Sequence, residues 1–334
     1  MSGKSDRVGR SGARTYSKHE VLNRFVGKEI AVVNTPRFRK VHARCEGLVW
    51  IDLTAGDAAL QTETDDWRKN CSPGILAHHA AYKQNSKRIQ VILVEKDVQT
   101  YKILLNNLEL RLSDLGYTRT RQSQWSYGGR ATVSALNMDS HDLRVDFIRQ
   151  TDAVLVLNDP NGVPTWAMRE TFPREISERT HLVRTFSTLG WNVAGAKAWA
   201  SRQDRIQRYD LLAPQIRNLG PSRDLCLAWI DRDDAQWAYL LETPSVWRDQ
   251  TGSEISRAFG RNNLDVEVTW CRENSARFRI ARTRMALTKD EYSRIRGREV
   301  EWDRASQQDR FKMLGPEEKP KPKPRKQPQA DTLF

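Results

Sequence analysis

Four short, mainly apolar runs constrain the fold more than any other feature: Leu48 to Leu53, Ile89 to Val94, Ala131 to Leu136 and Ala153 to Leu157. Each has the length of a strand, and the continuous apolar stretches within them, such as Leu48 to Ile51, Val91 to Val94 and Ala153 to Leu157, are expected to be covered on both faces. Between them lie segments with helical spacing, Gly74 to Tyr82 and the amphipathic stretch Val98 to Leu115, and a further helix is expected through Phe172 to Leu189 with a break at Pro173. Strand and helix in turn predict an α/β fold with a mostly parallel sheet, and 334 residues are enough to bury its core. Later, Leu225 to Ile230 and Trp237 to Glu242 are separated only by Asp231 to Gln236, too short for a helical crossover. They are expected to form an antiparallel hairpin closing one edge.

In a parallel sheet, ligands sit at the carboxyl ends of the strands, near the point where strand order reverses. All four apolar runs end in polar residues. The first leads into Asp52-Leu53-Thr54-Ala55-Gly56-Asp57-Ala58, where small residues let a ligand approach the backbone and Asp52 suits an amine better than a phosphate. The second ends in Glu95-Lys96-Asp97, and an acid there can accept both hydrogen bonds of a ribose diol. The third ends at Asn137-Met138-Asp139, able to meet an adenine amino group. The fourth ends at Asn158-Asp159-Pro160-Asn161-Gly162. Neither GxGxxG nor a phosphate-binding P-loop occurs, which disfavours a nicotinamide oxidoreductase and a nucleoside triphosphatase.

These residues, in order and spacing, resemble the motifs of class I S-adenosylmethionine-dependent methyltransferases. More narrowly, Lys18-His19-Glu20-Val21-Leu22, the Asp-Leu-x-Ala-Gly turn, Ser72-Pro73-Gly74-Ile75-Leu76, Glu95-Lys96-Asp97 and Asp159-Pro160-x-Gly162 are similar to the three-Cys-motif partner protein family, over residues 17 to 165. The resemblance implies a Rossmann-like class I methyltransferase sheet, mostly parallel with an antiparallel terminal hairpin, and S-adenosyl-L-methionine as cofactor. Asp52, Thr54, Ala55, Gly56 and Asp57 would hold its methionine end, Glu95 the ribose and Asp139 the adenine, with Lys96 also among the cofactor-binding residues. Asn158, Asp159, Pro160 and Asn161 would face the target and carry catalysis. The glycine-rich turn keeps a single glycine, and the second Pro and the aromatic of DNA amino-methyltransferases are missing after Asp159-Pro160, with Trp166 a substitute for the aromatic. Cytosine-C5 chemistry needs a cysteine nucleophile in this loop and finds none.

The formal net charge of +13 points to nucleic acid, DNA foremost, as the partner class. Ten basic and three acidic residues precede residue 41, so over half of that excess lies in an expected basic N-terminal arm. Its first sixteen residues have little to bury and are expected to be mobile, and a Ser17 to Glu20 capping box is expected to open a short helix of Val21, Leu22 and Phe25. Trp191, Trp199, Trp229, Trp237, Trp247 and Trp270, with Arg202, Arg205, Arg208, Arg277, Arg279, Arg282 and Arg284, supply a second set of stacking and phosphate-binding groups. The expected organisation is an arm over 1–40, the α/β domain over 41–243, a small appended basic region over 244–314 containing a strand-like Val266 to Trp270, and a Pro/Lys-rich tail over 315–334. That tail's Gln329 to Phe334 looks like a sliding-clamp-binding peptide, against the plainer reading of a disordered terminus.

Plainer readings stand beside the others. Asp-Pro-Asn-Gly is a good turn sequence, and the loop Ala59 to Asn70, with Glu63, Asp65, Asp66 and Trp67, is either a lid or a solvated insertion. His78 and His79, adjacent on a helix, point about 100° apart and cannot share a metal, so no metal site is expected and packing histidines are. Cys45, Cys71, Cys226 and Cys271 form no CxxC pair. With neither a signal peptide nor a membrane-length apolar run, a cytoplasmic protein is expected, with nucleoid association as an extension. A non-catalytic nucleic-acid-binding partner with a methyltransferase-like fold is the rival to the enzyme.

Overall fold

A computed structural model describes residues 12–33, 45–60, 65–82, 87–159, 172–180, 182–190, 206, 223–232, 235–244, 266–271, 283, 287 and 289–316. The predicted strands form β1 (Gly47–Asp52), β2 (Arg88–Glu95), β5 (Ala131–Asn137) and β6 (Asp152–Asn158). Every residue of β1 and β6 is buried, as continuous apolar strands require. Successive side chains point to opposite faces, so the sheet divides its core in two. Leu48, Trp50, Val91, Leu93, Val133 and Leu155 face one side, with α1 (Gly12–Val33), α3 (Ser72–Ala80) and α4 (Val98–Asp114) contributing Phe25, Ile75 and Leu104. Val49, Ile51, Ile92, Val94, Val154 and Val156 face the other, against Ile148, Phe172 and Ile176.

The strand order is β10-β8-β9-β7-β6-β1-β2-β5-β4-β3, where β3 is Thr118–Arg121, β4 Gln124–Tyr127, β7 Val183–Gly190, β8 Arg223–Arg232, β9 Ala235–Pro244 and β10 Val266–Cys271. The central strands β5, β2, β1, β6 and β7 are mutually parallel. On the β7 side, β9 runs antiparallel between β7 and β8. This is a Rossmann-like α/β sheet with an antiparallel terminal hairpin, the fold class expected. From β1 the chain builds outward through β2 to β5, then crosses to β6 and β7 on the other side, so the switch point lies between β1 and β6.

Four local expectations are corrected. The helix expected through Leu189 ends at Arg179, as α5 (Phe172–Arg179), and Val183–Gly190 is β7. Pro173 sits in the first turn of α5, where a missing N–H costs nothing, and Val183, Thr185, Phe186 and Thr188 favour the pleated state. The β8–β9 hairpin does not close its edge, because β10, the strand expected at Val266 to Trp270, pairs outside β8. The hairpin β3–β4, not anticipated, pairs antiparallel to β5 and forms the opposite edge. Helix α1 begins at Gly12, so Ser17 lies inside it rather than at its cap, and an i,i+4 ion pair joins Arg24 to Glu20.

Beyond β10, α6 (Lys289–Ile295), α7 (Glu299–Arg304) and α8 (Gln307–Leu314) bury Ile295, Trp302 and Leu314 with Ile206 and Leu287 in a small core of their own. Arg310 is buried there, donating to the carbonyl oxygens of Trp302 and Asp303 and lying 5.7 Å from the centre of the Trp302 ring. Among the described residues no helix is long and apolar enough to cross a membrane.

Candidate functional site at the carboxyl edge

The sheet register places the polar strand ends together. Asp52 stands level with Leu93 of β2 and Leu157 of β6, one residue before Asn158, and Glu95 stands level with Asn137 of β5. Backbone bonds continue past the strand ends: Leu53 N–H to Leu157 O at 3.0 Å, Ala55 N–H to Val94 O at 3.0 Å and Met138 N–H to Glu95 O at 3.3 Å. The Asn137 amide adds bonds to the carbonyl oxygens of Glu95 and Lys96. Asp52, Glu95, Asp139 and Asp159 therefore follow one edge of neighbouring strands, with Asp52 and Asp159 on either side of the switch point.

Asp52 is buried, with 1 % of its surface exposed. Its Oδ1 accepts the Thr54 N–H at 3.0 Å and the Thr54 hydroxyl at 3.4 Å. Its Oδ2 is buried without a hydrogen bond of standard geometry, and the Ser72 hydroxyl at the start of α3 is the nearby group that favours its charge. Burial pushes the carboxyl up to about 6, opposed by the Ser72 and Thr54 bonds and aided by the charge of Asp159. Ser72 belongs to a motif noted in the sequence, yet only folding shows that its hydroxyl reaches the tip of β1.

The turn after β1 contains two residues with positive φ, Gly56 at 62° and Ala58 at 52°. A Cβ at Gly56 would have no neighbour within 4 Å, so conformation and not crowding calls for glycine, and the backbone there borders open space. Asp57 turns its Oδ1 to the Ala59 N–H at 3.0 Å, while its carbonyl oxygen is anchored by the Asn107 amide of α4 at 2.7 Å. Its carboxylate thus shapes the loop.

At the tip of β2, Glu95 Oε1 accepts the Asp97 N–H at 2.8 Å, and Oε2 has no partner among the described residues. Asp97 in turn caps α4 through the Thr100 N–H at 2.7 Å. Asp139 is held by Lys96 at 2.5 Å and by the His141 N–H at 3.0 Å, and both lower its carboxyl below the usual range. Lys96 thus meets Asp139 at the neighbouring strand end. Asn158 is fully buried, whereas Asp159 is half-buried and donates its N–H to the Thr54 oxygen at 3.1 Å. Pro160, Asn161 and Trp166 lie outside the described residues, as do Arg202, Arg205, Arg208, Arg277, Arg279, Arg282, Arg284 and Gln329 to Phe334.

His79, Asp66, Trp67 and Cys71 take structural places, while residues 61–64 of the Ala59 to Asn70 loop lie outside the described residues. His79 is largely buried: it bonds the Asn23 amide oxygen at 2.7 Å and lies 2.9 Å from where a Cβ on Gly27 would stand, so helices α1 and α3 meet across it. Burial pushes its imidazole down to about 4. Within the Ala59 to Asn70 segment, Asp66 caps the short α2 (Trp67–Asn70), and Trp67 is buried in the core. Cys71 is a buried thiol pushed up to about 12. Among the described residues no group of three His, Cys, Asp or Glu side chains could hold a metal ion.

The sequence matches no family model, and no curated protein matches it at significant similarity. Its structure is similar to protein LPL1258 from Legionella pneumophila str. Philadelphia 1, family DUF519 (11 % identity, TM-score 0.39, covering 76 % of this chain and 96 % of that one). It is also similar to a candidate rRNA-methylase from Clostridium thermocellum (12 % identity, TM-score 0.32, covering 60 % and 89 %) and to cofactor-bound Rv0187 from MTB (11 % identity, TM-score 0.33, covering 71 % and 84 %). At this level of similarity no activity carries across to this chain.

Proposed function

We propose that this chain is an S-adenosylmethionine-dependent methyltransferase acting on nucleic acid, DNA foremost, at a base nitrogen. The observation that supports it most is the gathering of Asp52, Glu95 and Asp159 at the carboxyl ends of adjacent strands around the switch point of a Rossmann-like sheet. The residues present suit a sulfonium nucleoside. Open space borders the backbone at Gly56, and the buried Asp52 carboxylate, whose Oδ2 has only the Ser72 hydroxyl near it, suits an ammonium or sulfonium charge.

Asp52 supplies a counter-charge for the amino-acid end, and Glu95 Oε2 accepts from ribose hydroxyls. Asp139 accepts from the adenine amino group once Lys96 swings from it; Lys96 is exposed and free to do so. Asp159 accepts a proton of the target amine, a role the buried Asn158 serves only by holding the strand end. The bound donor supplies a methyl group on a sulfonium, and because the leaving thioether is neutral, positioning provides most of the rate. The partner class rests on the net charge of +13.

The test is transfer of labelled methyl from S-adenosylmethionine to DNA and to RNA, with the modified nucleoside identified by mass spectrometry. Label in a base nitrogen of DNA, lost in Asp159→Ala, upholds the reading; label in RNA alone moves the substrate. The ion pair that occupies Asp139 and the backbone bond that occupies Glu95 favour one rival, a non-catalytic nucleic-acid-binding partner. Nucleic-acid binding without any binding of S-adenosylmethionine would select it.

A further inference from the structure

Thr54 links the two acids that flank the switch point. Its oxygen accepts the Asp159 N–H at 3.1 Å, so its own proton is left to donate, and Asp52 Oδ1 at 3.4 Å is the acceptor. The Thr54 N–H donates to the same oxygen at 3.0 Å, which fixes the residue over the end of β1, and a β-branched side chain has few rotamers with which to leave. The contact joins residues 105 apart in sequence. One step earlier, Leu53 N–H bonds Leu157 O, so the strands are already zipped. Thr54 is thus the tie that carries this connection from the strands to Asp159.

We propose that Thr54 is a positioning residue that couples occupation of Asp52 to the placement of the Asp159 backbone, so that a bound methyl donor fixes Asp159 at the end of β6. This rests on the methyltransferase reading. The hydroxyl sits in the middle of a chain, Asp159 N–H to Thr54 Oγ1–H to Asp52 Oδ1, and hydrogen bonds in series strengthen one another. A cation bound at Asp52 Oδ2 fixes the orientation of the carboxylate and keeps Oδ1 turned to the Thr54 N–H and hydroxyl, so the Thr54 oxygen is held in place as the acceptor of the Asp159 N–H.

The test uses the full chain and hydrogen exchange at the Asp159 amide, with Thr54→Val as the isosteric deletion, Thr54→Ala as a second and Thr54→Ser as the conservative variant. Without ligand, Val and Ala speed exchange at Asp159 by about tenfold, the worth of one hydrogen bond, and Ser restores protection. At a concentration saturating for each variant, S-adenosylmethionine slows Asp159 exchange further in the wild type and in Thr54→Ser but not in Val or Ala. In single turnover, the rate of Val falls about tenfold with the nucleic-acid KM retained, and Ser recovers it. Donor binding that leaves the wild-type Asp159 amide unchanged overturns the coupling alone. A wild type that binds no donor overturns the coupling together with the proposed function.

Discussion

Replacing Asp52 by Asn separates the cost of burying this carboxylate from its use. Asn keeps an oxygen for the Thr54 N–H and hydroxyl and places an amide where Oδ2 lacks a standard bond, next to the Ser72 hydroxyl. The folded state raises the Asp52 carboxyl from 3.8 to about 6, chiefly through burial. A raised carboxyl means that the folded protein holds its proton longer than the unfolded chain. The associated stability is therefore complete below pH 3.8, and it is lost as pH rises through about 6. At about 1.36 kcal/mol per pH unit the full loss is about 3 kcal/mol, of which about 0.6 kcal/mol is already incurred at pH 4. Urea unfolding of wild type and Asp52→Asn from pH 4 to pH 8 measures it. The difference should move in favour of the variant by about 2.4 kcal/mol across that range, whatever constant offset the amide brings. A difference flat within about 0.5 kcal/mol, or moving the other way, refutes the claim that Asp52 is ionised at a cost in this site. A cation bound beside Asp52 should relieve part of that cost, so affinity for S-adenosylmethionine should climb as pH rises through about 6.

Three further outcomes are expected. His79 has the opposite sign: its imidazole is held down to about 4, so the stability tied to its neutral form is present above 6.5 and lost as pH falls through 4. By pH 5 it should have cost about 2 kcal/mol, and His79→Gln should flatten that part of the acid limb in thermal unfolding. Gly74→Ala puts a Cβ 2.0 Å from the Trp67 carbonyl oxygen, a backbone atom that cannot step aside, so the urea midpoint should fall by the equivalent of about 2–3 kcal/mol with the slope unchanged. Gly56→Ala meets no atom but must hold φ near 62°, so calorimetry should find a folded protein weakened by only about 1 kcal/mol, with binding of S-adenosylmethionine reduced far more than stability.

The parallel core was legible because β1 and β6 are buried along their whole length, and nothing but a strand between two layers accommodates Leu48 to Asp52 or Asp152 to Asn158 as continuous buried residues. The carboxyl-edge acids followed from that, since parallel strands send their ends to one side. What the sequence concealed has physical reasons. The residues of β7, Val-Arg-Thr-Phe-Ser-Thr-Leu-Gly, carry too many polar groups to read as a strand until β6 and β9 are found on either side of it. All four residues of β3 are exposed, so no apolar pattern marks it. Helix α1 runs past the capping signature at Ser17 to Gly12, and nothing in Gly12 to Tyr16 beyond Ala13 and Arg14 favours a helix there. At the site itself, one-dimensional spacing placed Asn158 beside Asp159 as an equal, whereas the sheet buries the first and leaves the second half-exposed. No local signal could announce that the Thr54 hydroxyl meets an amide 105 residues away, or that Ser72 leans on Asp52.

Isothermal titration of the full chain with S-adenosylmethionine tests the central claim most directly. One equivalent should bind to the wild type, and Glu95→Ala, which removes a tip carboxylate oxygen that has no partner among the described residues, should weaken binding at least about tenfold, the worth of a charge-assisted hydrogen bond. No heat of binding with the wild type, or equal binding by Glu95→Ala, would contradict it.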